Sequence, residues 1–158
     1  MGKISYQEAV EYAAMKHEGQ FRKGGDPYIT HPIAVAQMLK DAGYDLEYQI
    51  AGLFHDLLED TDATEEEILA LSSPQVLEAV KLVTKTPGYV MEEYIASICK
   101  NDMAKVVKAM DRLHNLQCAV EADERFRRKY IKESREWYMD FLPEIPAAVE
   151  NLEKTLEN

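Results

Sequence analysis

The chain has 158 residues, 46% of them apolar and 30% charged, with 18 basic against 29 acidic side chains and a formal net charge of −11. That length suits one domain with a sizeable core, expected to span residues 1–158, and the composition excludes a disordered or low-complexity chain. The acidic balance excludes a nucleic-acid polymer as partner, because a phosphate backbone needs cationic surface, but leaves room for a small anion served by a metal or a few local cations.

The chain opens on Met1–Tyr6 and runs straight into an amphipathic pattern containing acids, unlike the apolar run of a signal peptide. Ser5-Tyr6-Gln7-Glu8 has the form of a capping box, in which the hydroxyl and the third-position glutamate satisfy orphan N–H groups reciprocally, and it predicts a helix over 5–18. Gly24-Gly25-Asp26-Pro27 breaks the chain, and His31-Pro32 places proline where a first helical turn tolerates it, so a second helix is expected over 32–42. Gly43 ends it, and an apolar-periodic stretch predicts one continuous helix over 46–60, closed by Thr61-Asp62. A second capping box at Thr64–Glu67 and Ser73-Pro74 start helices over 65–71 and 74–85. Beyond Pro87-Gly88, helices follow over 90–100, 102–121, 123–140 and 144–157. Glycine and proline total only 13, and strand-like alternation is scarce, so the expected fold is all-α.

No stretch approaches the roughly 18 uncharged apolar residues that cross a bilayer. No membrane partner is expected, and the cytoplasm is the expected location. Cys99 and Cys118 lack metal-ligand spacing and read as buried or half-buried free thiols of a reducing compartment. The run Arg125–Lys132 is basic on an acidic chain. It reads either as a solvated helix face or as a surface for an anionic ligand or another subunit. The pattern specifies no oligomeric state.

The chemistry concentrates in Gln49–Thr61. On a helix at about 100° per residue, Ile50, Ala51, Leu53, Phe54, Leu57 and Leu58 share one broad arc, and His55, Asp56, Glu59 and Asp60 fill the other. That polar arc holds no Lys or Arg. Its three carboxylates would lie in the last turns of a helix, where the macrodipole disfavours negative charge and like charges one turn apart repel. A bound cation would relieve both penalties. Two further ligands are available. His31 lies between a turn and a helix start. Asp111 falls beside the stripe Met103, Val106, Met110, Leu113 and Gln117, where a carboxylate at the margin of a buried face needs a partner. Arg112 or a cation across the core could supply it.

The order His31, then His55-Asp56, then Asp111 resembles the HD-domain metal-dependent phosphohydrolases. The closer resemblance is to the (p)ppGpp hydrolase domains of the RelA/SpoT type and their small stand-alone relatives. Three segments carry it: Arg22-Lys23 through Pro27-Tyr28 to His31-Pro32, His55-Asp56-Leu57-Leu58-Glu59-Asp60-Thr61, and Asp111-Arg112-Leu113-His114-Asn115. The resemblance implies a helical HD fold in which His31, His55, Asp56 and Asp111 bind one divalent ion, manganese in the family. It implies that Glu59 and Asp60 handle the attacking water and its proton. Arg22 and Lys23 would face the base and phosphates of a small anionic nucleotide, with Asn115 near the ribose. A mixed nitrogen and oxygen donor set suits such an ion. The segment 84–101 has no counterpart in those motifs. The reaction implied is removal of the 3′-pyrophosphate from ppGpp to leave GDP. Its rivals are an HD phosphatase acting on another nucleotide or phosphoester, and a metal-binding nucleotide sensor without turnover.

Overall fold

The computed structural model describes residues 4–157. They form ten α-helices and no strand beyond one isolated bridge between Phe21 and Pro27. In chain order the helices are α1 (Tyr6–Lys16), α2 (Thr30–Asp41), α3 (Leu46–Phe54), α4 (Leu57–Asp60), α5 (Glu65–Leu71), α6 (Pro74–Val83), α7 (Met91–Cys99), α8 (Asp102–Cys118), α9 (Glu124–Trp137) and α10 (Glu144–Lys154). The starts follow capping chemistry. Ser5 and Thr64 both close full capping boxes, while Asp45, Ser73, Asn101 and Asp123 each accept an N–H from the first turn of α3, α6, α8 and α9.

One apolar core joins these helices, with Leu39 of α2, Leu53 and Phe54 of α3, Val80 of α6, Val107 and Leu116 of α8, and Ile145 and Leu152 of α10 all buried. The α2–α3 pair is the tightest part. A Cβ at Gly52 would lie 2.8 Å from Leu39 Cδ1 and 3.4 Å from the Ala36 Cα, so only glycine lets the two backbones come this close. None of the described helices is long and apolar enough to cross a membrane.

Four expectations are corrected. The helix predicted over 46–60 is two, because it breaks at His55-Asp56. The His55 ring places Nδ1 2.6 Å from the Gly52 carbonyl, which in an unbroken helix would accept the Asp56 N–H. Helix α8 ends at Cys118 and passes into a 3₁₀ turn over Ala119–Glu121, whereas the sequence suggested an α-helix to 121. Val106 is only half-buried and Gln117 is exposed, while Asp111 and Arg112 are themselves buried. The cause is that α2, α3, α6, α7 and α10 all pack on α8, so its covered arc is far wider than a single stripe. Finally, Cys99 and Cys118 are both exposed free thiols, each near the C-terminal end of its helix rather than on its packed face.

Candidate metal centre

Three helical segments converge on one point. His31 lies in the first turn of α2, His55 and Asp56 occupy the break between α3 and α4, and Asp111 sits in the middle of α8. One ligand atom from each of the four lies within 4.8 Å of all the others. His31 Nε2 is 2.6 Å and His55 Nε2 3.2 Å from Asp111 Oδ1, and His55 Nε2 is 3.0 Å from Asp56 Oδ2. All four implied ligands are therefore together.

The electrostatics fit a cation. Burial opposes charge on His55, yet Asp56 and Asp111 beside it hold its pKa well above the ordinary imidazole value. Burial likewise opposes the Asp56 carboxylate, but the His55 charge and hydrogen bond bring it down to about 2. Asp111 is held well below the usual carboxylate range, against burial, by Lys108 and by its hydrogen bonds to His31 and His55. A proton on His55 thus occupies the centre that a divalent ion would take, and the donor set of two imidazoles and two carboxylates fits manganese, iron or zinc.

The surrounding contacts hold the ligands in place. His55 Nδ1 faces a carbonyl, which can only accept, so Nδ1 keeps a proton, and Nε2, whose proton a bound ion would displace, points into the cluster. The Tyr28 hydroxyl donates to Asp56 Oδ2 at 2.5 Å, and Lys108 Nζ donates to Asp111 Oδ2 at 3.1 Å. Lys108 is the buried counter-ion of Asp111. Arg112 turns away instead, pairing with Glu133 between the rings of Tyr130 and Tyr138. Sequence reasoning gave no role to Tyr28, Lys108 or His114, although all three were readable: Lys108 is one turn before Asp111, and the other two lie inside the quoted motifs.

On one side of the cluster a cleft of about 460 Å³ is lined by Arg22, Lys23, Tyr28, Asn115, Phe126 and Tyr130, among others. Arg22 Nη2 donates to Asn115 Oδ1 at 2.9 Å, and Asn115 Nδ2 donates to Asp111 Oδ1 at 3.2 Å, so the cleft is wired to the centre. Lys23 Nζ lies 4.0 Å from the centre of the Phe126 ring, which stacks on Tyr130. Part of the basic run thus faces this cleft through its aromatics, while Arg125, Arg128, Lys129 and Lys132 are solvated.

Glu59 and Asp60 are exposed on α4. The Lys85 backbone N–H donates to Glu59 Oε1 at 2.7 Å, tying α4 to the connection after α6. Although its residue is exposed, the Asp60 carboxyl is partly desolvated, and that, then the negative charges of Asp56 and Glu59, pushes it up to about 6.

Comparison with known proteins shows the family. The HD domain family model matches residues 9–141. This chain belongs to the HD-domain family. Among curated HD relatives, a guanosine-3′,5′-bis(diphosphate) 3′-pyrophosphohydrolase of Aquifex aeolicus is 39% identical over 84% of this chain, and one of Haemophilus influenzae is 31% identical over 90%. A probable GTP pyrophosphokinase of Mycobacterium leprae is 37% identical over 70%. The matches span only 20%, 22% and 15% of those three relatives, respectively. A solved metazoan structure, of a SpoT ortholog described as hydrolyzing ppGpp and acting in starvation responses, superposes with a TM-score of 0.77 at 25% identity, covering 99% of both chains. A Listeria monocytogenes protein superposes with a TM-score of 0.59 at 26% identity, over 81% of this chain and 98% of its own.

Proposed function

We propose that this HD protein is a metal-dependent phosphohydrolase that removes the 3′-pyrophosphate of ppGpp, leaving GDP. The observation that carries the reading is the junction of a four-ligand cluster with a cleft of cationic and aromatic side chains through the Arg22–Asn115–Asp111 chain. The likeness over 99% of both chains to a protein described as hydrolyzing ppGpp supports it. His31, His55, Asp56 and Asp111 would hold one divalent ion, with Mn²⁺ the ion proposed. Such an ion, when bound, lowers the pKa of water and neutralises phosphoryl charge.

The remaining work belongs to the chain's own groups. A water oxygen bonds to the 3′-linked phosphorus as the bond from that phosphorus to the ribose 3′-oxygen breaks. Asp60, whose carboxyl is raised to about 6 in the metal-free protein, is the group proposed to take up and return the proton. Glu59 shares that task, with one oxygen anchored by the Lys85 N–H and the other left to orient the water. Arg22 and Lys23 bind the base and phosphates, Tyr28 and Asn115 line the passage between base and centre, and Asn115 contacts the ribose. The two exposed free thiols suit a reducing cytoplasm.

The test is turnover by purified protein loaded with Mn²⁺, with nucleotides separated by ion-exchange chromatography. Equal amounts of GDP and pyrophosphate are expected from ppGpp. Intact ppGpp beside hydrolysis of another phosphoester would keep the HD chemistry and discard the alarmone. Metal binding without turnover of any member of a nucleotide panel would make the protein a sensor.

A further inference from the structure

The two histidines of the centre are aimed differently. The proton on His55 is placed by a backbone carbonyl, the Gly52 oxygen, which no substitution removes. His31 Nδ1 meets a side chain, lying 2.7 Å from His114 Nδ1 with the ring centroids 5.0 Å apart and the ring planes only 23° from parallel, so the two rings meet edge to edge. A contact of this length between two ring nitrogens is an N–H···N hydrogen bond, with one donor and one acceptor. If His31 Nδ1 accepted, the His31 proton would sit on Nε2, the atom that faces Asp111 in the cluster, and that nitrogen would have no lone pair for an ion. A ligating Nε2 requires Nδ1 to donate. His114 Nδ1 must then accept, which puts its own proton on Nε2, and His114 Nε2 faces Cys118 Sγ at 3.5 Å, a thiol sulfur able to accept it. With an ion in place of the Nε2 proton that bonds Asp111 in the metal-free protein, the remaining contacts fit one proton arrangement.

We propose that His114 is a positioning residue whose Nδ1 lone pair selects the metal-ligating tautomer of His31. This rests on the metal-centre reading above and adds to it a group that touches neither ion nor substrate. Partners of this kind that orient a ligating imidazole typically change metal affinity by about 10- to 100-fold when removed.

The experiment compares wild type with His114→Phe, which keeps an aromatic ring without an acceptor, and His114→Gln, which keeps an acceptor without the ring. Mn²⁺ affinity is measured by titration calorimetry, and thermal unfolding of the metal-free proteins checks that all are folded. ¹⁵N shifts of the histidine rings in the Zn²⁺-loaded wild type report which His31 nitrogen carries the proton. Expected are a loss of about 10- to 100-fold in Mn²⁺ affinity for His114→Phe, near-wild-type affinity for His114→Gln, and a protonated His31 Nδ1. Unchanged affinity in His114→Phe overturns the proposal. So does an equal loss in both variants, which would mark a packing effect, or a bare Nδ1 in the loaded wild type. If His114→Phe does not fold, the His31 shifts and His114→Gln decide it. A wild type that binds neither ion overturns the metal centre itself, a result distinct from all of these.

Discussion

The candidate centre draws its proposed ligands from two kinds of helical segment, and they hold a carboxylate in opposite ways. On α8 the helix is unbroken, and its periodicity does the positioning: Lys108 one turn before and Asn115 one turn after Asp111 both reach its carboxylate, at 3.1 and 3.2 Å. At the α3–α4 junction the helix is interrupted, because the His55 ring takes the Gly52 carbonyl. Asp56 is held from outside its own helix, by the Tyr28 hydroxyl at 2.5 Å. An intact helix thus supplies a ligand with its own counter-ion, whereas a broken one turns two consecutive side chains toward the same point and depends on its neighbours for support.

The largest effect should come from removing the carboxylate of the unbroken helix. Asp111→Ala takes away a proposed ion ligand and strands Lys108, whose side chain is only 11% exposed. Loss of one member of a buried pair is expected to lower the stability of the metal-free protein by about 3–5 kcal/mol. Urea unfolding without metal measures it. A loss no larger than that of Asp56→Ala would show that Lys108 is not the counter-ion that distinguishes α8.

On the broken side, ligand and catalyst should separate within a few residues. His55→Ala is expected to abolish the rise in melting temperature that Mn²⁺ gives by binding the folded state. Glu59→Gln keeps a group able to accept the Lys85 N–H and should keep that rise, while kcat falls by about 10²–10⁴. Metal content beside turnover decides between them. Equal metal loss in both would make Glu59 a ligand.

Arg22 reaches the α8 carboxylate only through Asn115. Arg22→Ala should raise KM for ppGpp by a factor corresponding to about 1.5–3 kcal/mol, the usual worth of a hydrogen bond to a charged group, with metal affinity nearly unchanged. Arg22→Lys should recover only part of it, since lysine lacks the planar fork. An unchanged KM would place Arg22 outside the substrate contacts.

The smallest effect concerns Asp60. Its carboxyl is raised in the folded protein to about 6 from an ordinary value of 3.8, so the folded state holds this proton more tightly than the unfolded chain does. The associated stability is complete below pH 3.8 and is lost as pH climbs to about 6. Metal-free Asp60→Asn should therefore be more stable than wild type above that range and gain nothing below it. Because the side chain is half exposed, solvent screening limits the gain to about 1 kcal/mol or less. Unfolding curves at pH 4 and pH 7.5 test the sign.

Local chemistry was legible from the residues alone. Capping boxes at Ser5 and Thr64, the Ser73-Pro74 start and the scarcity of breakers gave an all-helical chain with most helix starts correctly placed, because a cap depends on side chains within a few positions of it. The spaced motifs at 22–32, 55–61 and 111–115 contain the four candidate ligands that the fold brings within 4.8 Å. What the residues could not reveal depends on groups distant in sequence or on orientation. The break at His55 needs a ring to compete for a carbonyl, which periodicity ignores. The breadth of the buried arc on α8, with Asp111 and Arg112 inside it, is set by five helices packing on one. The sequence determined which groups could bind a cation, since donor chemistry belongs to the residue. Only the tertiary structure decided between Lys108 and Arg112 as the counter-ion of Asp111, which side-chain direction settles, and which neighbour meets His31, which takes a contact across 83 positions of chain.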